Sequence, residues 1–465
     1  MRRMLAALLL GWATLAGAAE ELRLPSIERT TLKNGLRLVV AEYHELPLWN
    51  VVMFVGAGAA QDPAGKEGVA MLTASALRRG AGGMSAEAVA DAIESLGGSI
   101  GATSGTDATI VAAEFLSDDV DKGLDLLKKV VREPGFADDE VRRVREEQLA
   151  ALIAGLEEPS VVAERCFAPW LYGSHPYALP VDGRSESVKQ LTAADVRAFY
   201  DRWYRPNATI LVLVGDVKTA DAVKQLEGAF GDWAGRPDAI ADRAGAPAPI
   251  TERRVLLVDK PDATQTQIRV GAPSMARNDP ELLAGQVGNT ILGGGFTSKL
   301  IEELRVKRSL TYGASSAFVA RKVGGDFRLS TFTKTPTTLE TLKLALEVEN
   351  GFREKPIDPK LIDKAKRYLN GQFPLRVETP DAIAMRLAEI EFNGLPADDL
   401  STYRTRIDAV TPAAASRVAK DKMFDVNRVA ITVVGKASEI KGPLEQAYGP
   451  VKVVTPLECD TLGRK

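Results

Sequence analysis

Apolar residues along this chain alternate between strand-like runs and helical spacing. The segment "WNVVMFVGAG", from Trp49, is almost continuously apolar and of strand length, which predicts a buried strand. Upstream, "RTTLKNGLRLVVAEY" carries Asn34 and Gly35 between two strand-like runs, and both residue types tolerate the positive φ of a tight hairpin. "SAEAVADAIESLGG" has helical spacing, with Ser85 placed to cap its start and Gly97 to stop it. "DATIVAAEFL" then reads as a strand and "DDVDKGLDLLKKVV" as an amphipathic helix. This order predicts an α+β fold of mostly antiparallel sheets with helices packed on one face.

The pattern is written twice. "LTAADVRAFYDRWYRPNATILVLVGDV" from Leu191 and "VTPAAASRVAKDKMFDVNRVAITVVGKA" from Val410 both run Thr, helix, Asn, apolar strand, Gly. Thr192 answers Thr411, Asn207 answers Asn427, and Gly215 answers Gly435. Upstream of each lies a charged amphipathic helix, "GFADDEVRRVREEQLAAL" and "PIDPKLIDKAKRYLNGQF". The repeat distance is too long for a solenoid unit, so two homologous halves are expected. The Ala-, Gly- and Pro-rich stretch at 236–252 reads as the linker between domains at 20–235 and 253–465.

Residues 1–19 show a basic start (Arg2, Arg3), a short apolar run and small residues at the end, the pattern of a secretory signal peptide. Export to a periplasm follows as the expectation, with no later apolar run long enough to span a membrane. The 59 basic and 62 acidic residues give no excess positive field, which argues against nucleic acid as a partner. Two cysteines occur. Cys166 lies in the apolar pattern "VVAERCFAPWLYG" and reads as a buried small hydrophobe, while Cys459 sits in a polar tail. That reading favours two separate thiols and leaves a bridge open.

"LKNGLRLVV", "GAGAAQDPAGKEGVA", "SHPYALPVDG", "FYDRWYRPNATILVLVGDV" and "SKLIEELRVKRSLTYG", in this order, resemble the insulinase, pitrilysin and mitochondrial processing peptidase family of zinc metallopeptidases. The resemblance covers nearly the whole chain after the signal peptide. It implies a helix carrying H-x-x-E-H, whose two His hold zinc and whose Glu activates a metal-bound water. Here those positions fall on Met71, Ala74 and Ser75, and a further Glu ligand would fall at about Ala150 or Ala151. The chain's only two His, His44 and His175, lie on different elements, so no two imidazoles can share one helix face. No metal ligand is assigned in this chain.

The resemblance further implies a clamshell heterodimer in which a catalytic H-x-x-E-H chain supplies the zinc and this chain supplies Arg305 and Tyr312 to grip peptide. A guanidinium fork and a phenol both suit the carbonyls of an extended peptide. Against this stands a local reading, in which Arg305 pairs with Glu302 and Tyr312 packs inward. His175 is expected to hydrogen-bond locally and His44 to be an exposed polar residue. "TILGGGFTSKL" does not satisfy a phosphate-loop pattern and reads as a helix-ending turn. The expected function is a non-catalytic metallopeptidase subunit that binds peptide. The alternative is a stand-alone peptide-binding or assembly scaffold.

Overall fold

The structure, a computed structural model, describes residues 25–235 and 244–463. The predicted signal peptide and residues 236–243 of the predicted linker lie outside the described residues.

Strands β1 (Ile27–Thr31), β2 (Arg37–Glu42), β3 (Leu48–Val55), β4 (Ser99–Ser104), β5 (Thr109–Leu116) and β6 (Thr209–Gly215) form one sheet, ordered β1-β2-β6-β3-β5-β4. Its neighbours are antiparallel except β2 and β6. A second sheet takes β7 (Arg254–Asp259), β8 (Gln265–Ser274), β9 (Ala314–Arg321), β10 (Gly324–Lys334), β11 (Ala430–Gly435) and β12 (Val451–Val454), ordered β12-β7-β11-β8-β10-β9. Here β11 and β12 both run parallel to β7. Reading β2, β6, β3, β5 and β4 against β7, β11, β8, β10 and β9 superposes the two orders strand for strand. The duplication is real. Only the outermost strands differ, β1 being antiparallel to its neighbour and β12 parallel.

Local signals behave as their chemistry dictates. The Asn34-Gly35 turn joins β1 to β2 with Gly35 at φ +90°, and a Cβ there would fall 2.9 Å from that of Asn207. Thr192 and Thr411 cap equivalent helices, Ala193–Trp203 and Pro412–Lys422, each accepting a backbone N–H three residues on.

Between the sheets' strands run α1 (Val69–Ala76), α2 (Ala86–Ser95), α3 (Val120–Arg132), α4 (Asp138–Gly155) and α5 (Pro159–Tyr172). Period-2 alternation gives the first sheet two apolar faces. Leu38, Val40, Val51, Met53, Leu211 and Leu213 face helices of their own half, in a core shared with Leu72, Leu127 and Phe199. Val39, Ala41, Val52, Phe54, Val212 and Val214 share a core instead with Ile383, Ala384 and Leu387 of the helix Pro380–Asn393. That helix comes from the other half of the chain and lies across β3 and β6. The exchange is reciprocal. α5 lies across β8 and β11, where Val162, Ala163 and Cys166 pack with Leu256, Val258 and Val434. Each half therefore covers one face of its sheet itself and borrows the cover of the other.

Cys166 and Cys459 are bonded, with Cα atoms 5.0 Å apart, which corrects the expectation of two separate thiols. The physical reason lies in the exchange: α5 sits on the second sheet, and the C-terminal turn Leu457–Thr461 returns to the same place. Cys459 is buried there despite its polar neighbours in sequence.

Candidate functional site

α1 is held by its start. Gly68 precedes it at φ +100°, and a Cβ there would meet Gly183 Cα and Val188 Cγ2 at 2.9 Å each. The Asp62 carboxylate accepts hydrogen bonds from the backbone N–H groups of Gly68 (2.6 Å) and Ala70 (2.9 Å). It thereby satisfies donors that the first turn leaves free. Burial pushes the Asp62 carboxyl up to about 7, more than the two backbone bonds pull it down. From α4, Gln148 Nε2 donates to the carbonyls of Gly68 (3.2 Å) and Asp182 (2.8 Å), fixing α4 against α1. Glu67 and Arg184 form a buried ion pair at 3.0 Å beside the same turn.

On this scaffold, Met71 and Ser75 are partly exposed one turn apart, and Ala74 is buried between them. Ala150 and Ala151 are exposed on α4. A thioether, a hydroxyl and three methyl groups do not make a zinc site: borderline-soft Zn²⁺ requires imidazole, thiolate or carboxylate donors. The residues present do not fit the metal that the helix resembles a holder for.

The second half presents Arg305 and Tyr312 differently. Arg305 lies in the helical segment Ile301–Lys307, with its guanidinium 5.4 Å from the centre of the Phe296 ring. Glu302 pairs with Lys307 at 2.9 Å, not with Arg305. Ser309, at φ +53°, reverses the chain, and the N–H of Leu310 donates back to the Leu304 carbonyl at 2.8 Å. The reversal carries Tyr312 to the start of edge strand β9, where it is 78% exposed. Both elements of the local reading, the Glu302 pair and the inward phenol, are absent. Phe296, 75% exposed, was not expected as a partner of Arg305. The Gly293-Gly294-Gly295 stretch before it does end a helix, in the wide turn Thr290–Gly294.

The two histidines do local work. His175 Nε2–H donates to the Gly245 carbonyl at 2.9 Å while Nδ1 accepts from the Tyr177 N–H at 3.1 Å. His44 is exposed and bonds Asp216 at 2.7 Å and Glu42 at 3.3 Å, and these contacts raise its pKa.

Residues 38–170 match the family model described as insulinase (peptidase family M16), and residues 190–369 match the model described as the peptidase M16 inactive domain. The chain belongs to the insulinase family. Among M16 relatives, an uncharacterized zinc protease of Streptomyces coelicolor is 26% identical over 88% of this chain and 90% of its own. The Helicobacter pylori protein named non-peptidase homolog YmxG is 25% identical over 80% of this chain and 86% of its own. A crystal structure of a peptidase M16 inactive domain from Pseudomonas fluorescens superposes with TM-score 0.84 at 28% identity, covering 88% of this chain and 98% of that one. The fold also matches a protease from Helicobacter pylori, TM-score 0.81 at 20% identity, over 89% of this chain and all of the other. The names of these M16 relatives divide between protease and non-peptidase.

Proposed function

We propose that this chain is a non-catalytic subunit of an exported zinc metallopeptidase, closing over a catalytic H-x-x-E-H partner of the same family and helping to hold its peptide substrate. One observation carries the reading: α1 keeps its caps, its packing and its bond to α4, while Met71, Ala74 and Ser75 stand where metal and water chemistry would need imidazole and carboxylate. Scaffold retention with loss of donors fits a chain that still needs the shape of the half-shell. The zinc then belongs to the partner chain. Arg305 and Tyr312 are the peptide-binding groups: one is a guanidinium spread over an aromatic ring, the other an exposed phenol just before an edge strand. Chain boundaries at 20–235 and 253–465 are proposed for the two domains.

The test is to purify the full chain alone and with a catalytic family member encoded beside it. Alone, it should contain no stoichiometric zinc and cleave no peptide; together, the pair should show chelator-sensitive peptidase activity exceeding that of the partner alone. One zinc per chain in the isolated protein, or a partner indifferent to this chain, refutes the reading.

A further inference from the structure

A groove of about 850 Å³ opens between the exchanged helix Pro380–Asn393, the helix Asp399–Asp408 and the second-half helix Leu282–Asn289. It is separate from α1 and shares no lining residue with the surface around Arg305. Its volume falls within the range of ligand sites. One wall is apolar, made of Leu282, Leu283, Phe318 and Met385. The lining also holds four arginines, Arg277, Arg376, Arg386 and Arg406, and three carboxylates, Asp279, Glu389 and Asp399.

The charges are unevenly matched. Asp399 is buried and held by Arg386 and Arg406, each at 2.5 Å, so these three form a closed cluster. Glu389 is taken by Arg386 at 3.2 Å and reaches Arg277 only at 3.7 Å. Asp279 lies 3.8 Å from Lys422. Among the described residues, Arg376 has only a long hydrogen bond, 3.4 Å to Gln372 Oε1. Arg277 thus has Glu389 only at 3.7 Å, Arg376 has no carboxylate in ion-pair range among the described residues, and Arg277 is partly buried. Burial, followed by repulsion from Arg386, pushes Arg277 below the usual arginine range, and the attraction of Glu389 and Asp399 offsets this only in part. A desolvated guanidinium in this condition gains from a bidentate anion.

We infer that the groove binds a peptide segment whose carboxylate meets Arg277 and Arg376 while a neighbouring apolar side chain lies on the Leu282, Leu283, Phe318 and Met385 wall. The three resident carboxylates favour a singly charged anion over a phosphate, whose second charge they would repel. A peptide, as the occupant, rests on the proposed peptide-binding function. The carboxylate comes either from a chain terminus or from an acidic side chain.

Fluorescence anisotropy on the full-length protein decides this, with a fluorescein-labelled hexapeptide Ala-Ala-Leu-Ala-Glu-Leu as the probe. Its C-terminal amide and its Glu-to-Gln form are the two comparison peptides. Arg277→Gln and, separately, Arg376→Gln should each weaken binding about tenfold or more, as loss of a charge-assisted bond does. Lys224→Gln, an exposed position that lines neither the groove nor the surface around Arg305, should leave affinity for this probe unchanged. A similar loss with the amide assigns the carboxylate to the terminus, and a loss with the Gln form assigns it to the side chain. Equal binding of all three peptides, or full affinity in both arginine variants, overturns the inference. If the probe fails to bind while the reconstituted pair still turns over peptide in an Arg305-dependent way, the groove is ruled out and the proposed function stands.

Discussion

The Arg305 guanidinium already leans on the Phe296 ring, and an incoming carbonyl would hydrogen-bond its edge without displacing that face contact. Replacing Arg305 by Ala should therefore remove a charge-assisted bond of about 1.5–3 kcal/mol, lowering turnover by the reconstituted pair about ten- to a hundredfold. Tyr312→Phe should cost less, since a neutral hydroxyl is removed. Neither change should alter pairing or the partner's zinc content, and normal turnover by both variants would make the residues structural. Asp62 gives a second test at this scale. Its folded pKa, about 7, is raised above that of an unfolded aspartate, so its protonated form favours folding. That stability is fully present below about pH 4 and is lost as pH rises through 7. In Asp62→Asn the decline of Tm over this window should flatten, whereas an unchanged slope assigns the titration elsewhere. The positions Met71, Ala74 and Ser75 could be assigned from the sequence only through the resemblance, whose motif is contiguous along the chain. Phe296 could not, because its contact with Arg305 depends on how the chain bends after a run of three glycines.

Helix positions and faces were also readable, but not the sheet that each face would meet. An amphipathic pattern says that a helix has an apolar side, and says nothing about which partner covers it. The same limit hid the disulfide: Cys459 looked polar by its neighbours, and only the placement of α5 on the second sheet brings it to Cys166. Leu387, fully buried on the helix Pro380–Asn393, tests the exchange directly. Leu387→Ala should cost about 2–5 kcal/mol, the usual penalty for a buried leucine. Because the helix covers the first sheet, the loss should destabilise that sheet and be followed through Trp49, Trp203 and Trp233, which lie in the core on the sheet's opposite face. Unshifted tryptophan fluorescence with a second-half transition that moves would contradict the packing described. Cys166→Ala with Cys459→Ala should lower stability by about 2–5 kcal/mol, measured by denaturant titration of the oxidised protein. A loss below 0.5 kcal/mol, on the order of an ordinary surface change, would show that the packing alone holds the C-terminal turn.

At the level of the whole molecule, reciprocal exchange makes the halves interdependent in a way that sheet order alone does not reveal. Residues 25–235 carry a complete six-stranded sheet, yet the face bearing Val39, Val52, Phe54, Val212 and Val214 has its cover on residues 380–393. Residues 244–463 carry the second sheet, with Leu256, Val258 and Val434 covered by α5. Arg269 and Arg328 on that sheet also bond Glu164 of α5, at 2.5 and 2.8 Å. A fragment ending at 235 would expose one apolar sheet face and also leave α5 with its apolar side in water. The second fragment would do the same with its own sheet and the helix Pro380–Asn393. Exposed contiguous apolar surface of this kind drives association or collapse into loosely packed states. Expressed separately, the fragments should aggregate or bind a hydrophobic dye with little near-ultraviolet circular dichroism. Co-expressed in an oxidising compartment, they should recover a single cooperative transition, joined by the Cys166–Cys459 bond. Two fragments that each unfold cooperatively on their own would mean that the borrowed helices are dispensable covers, and that closure of a half-shell does not depend on the exchange.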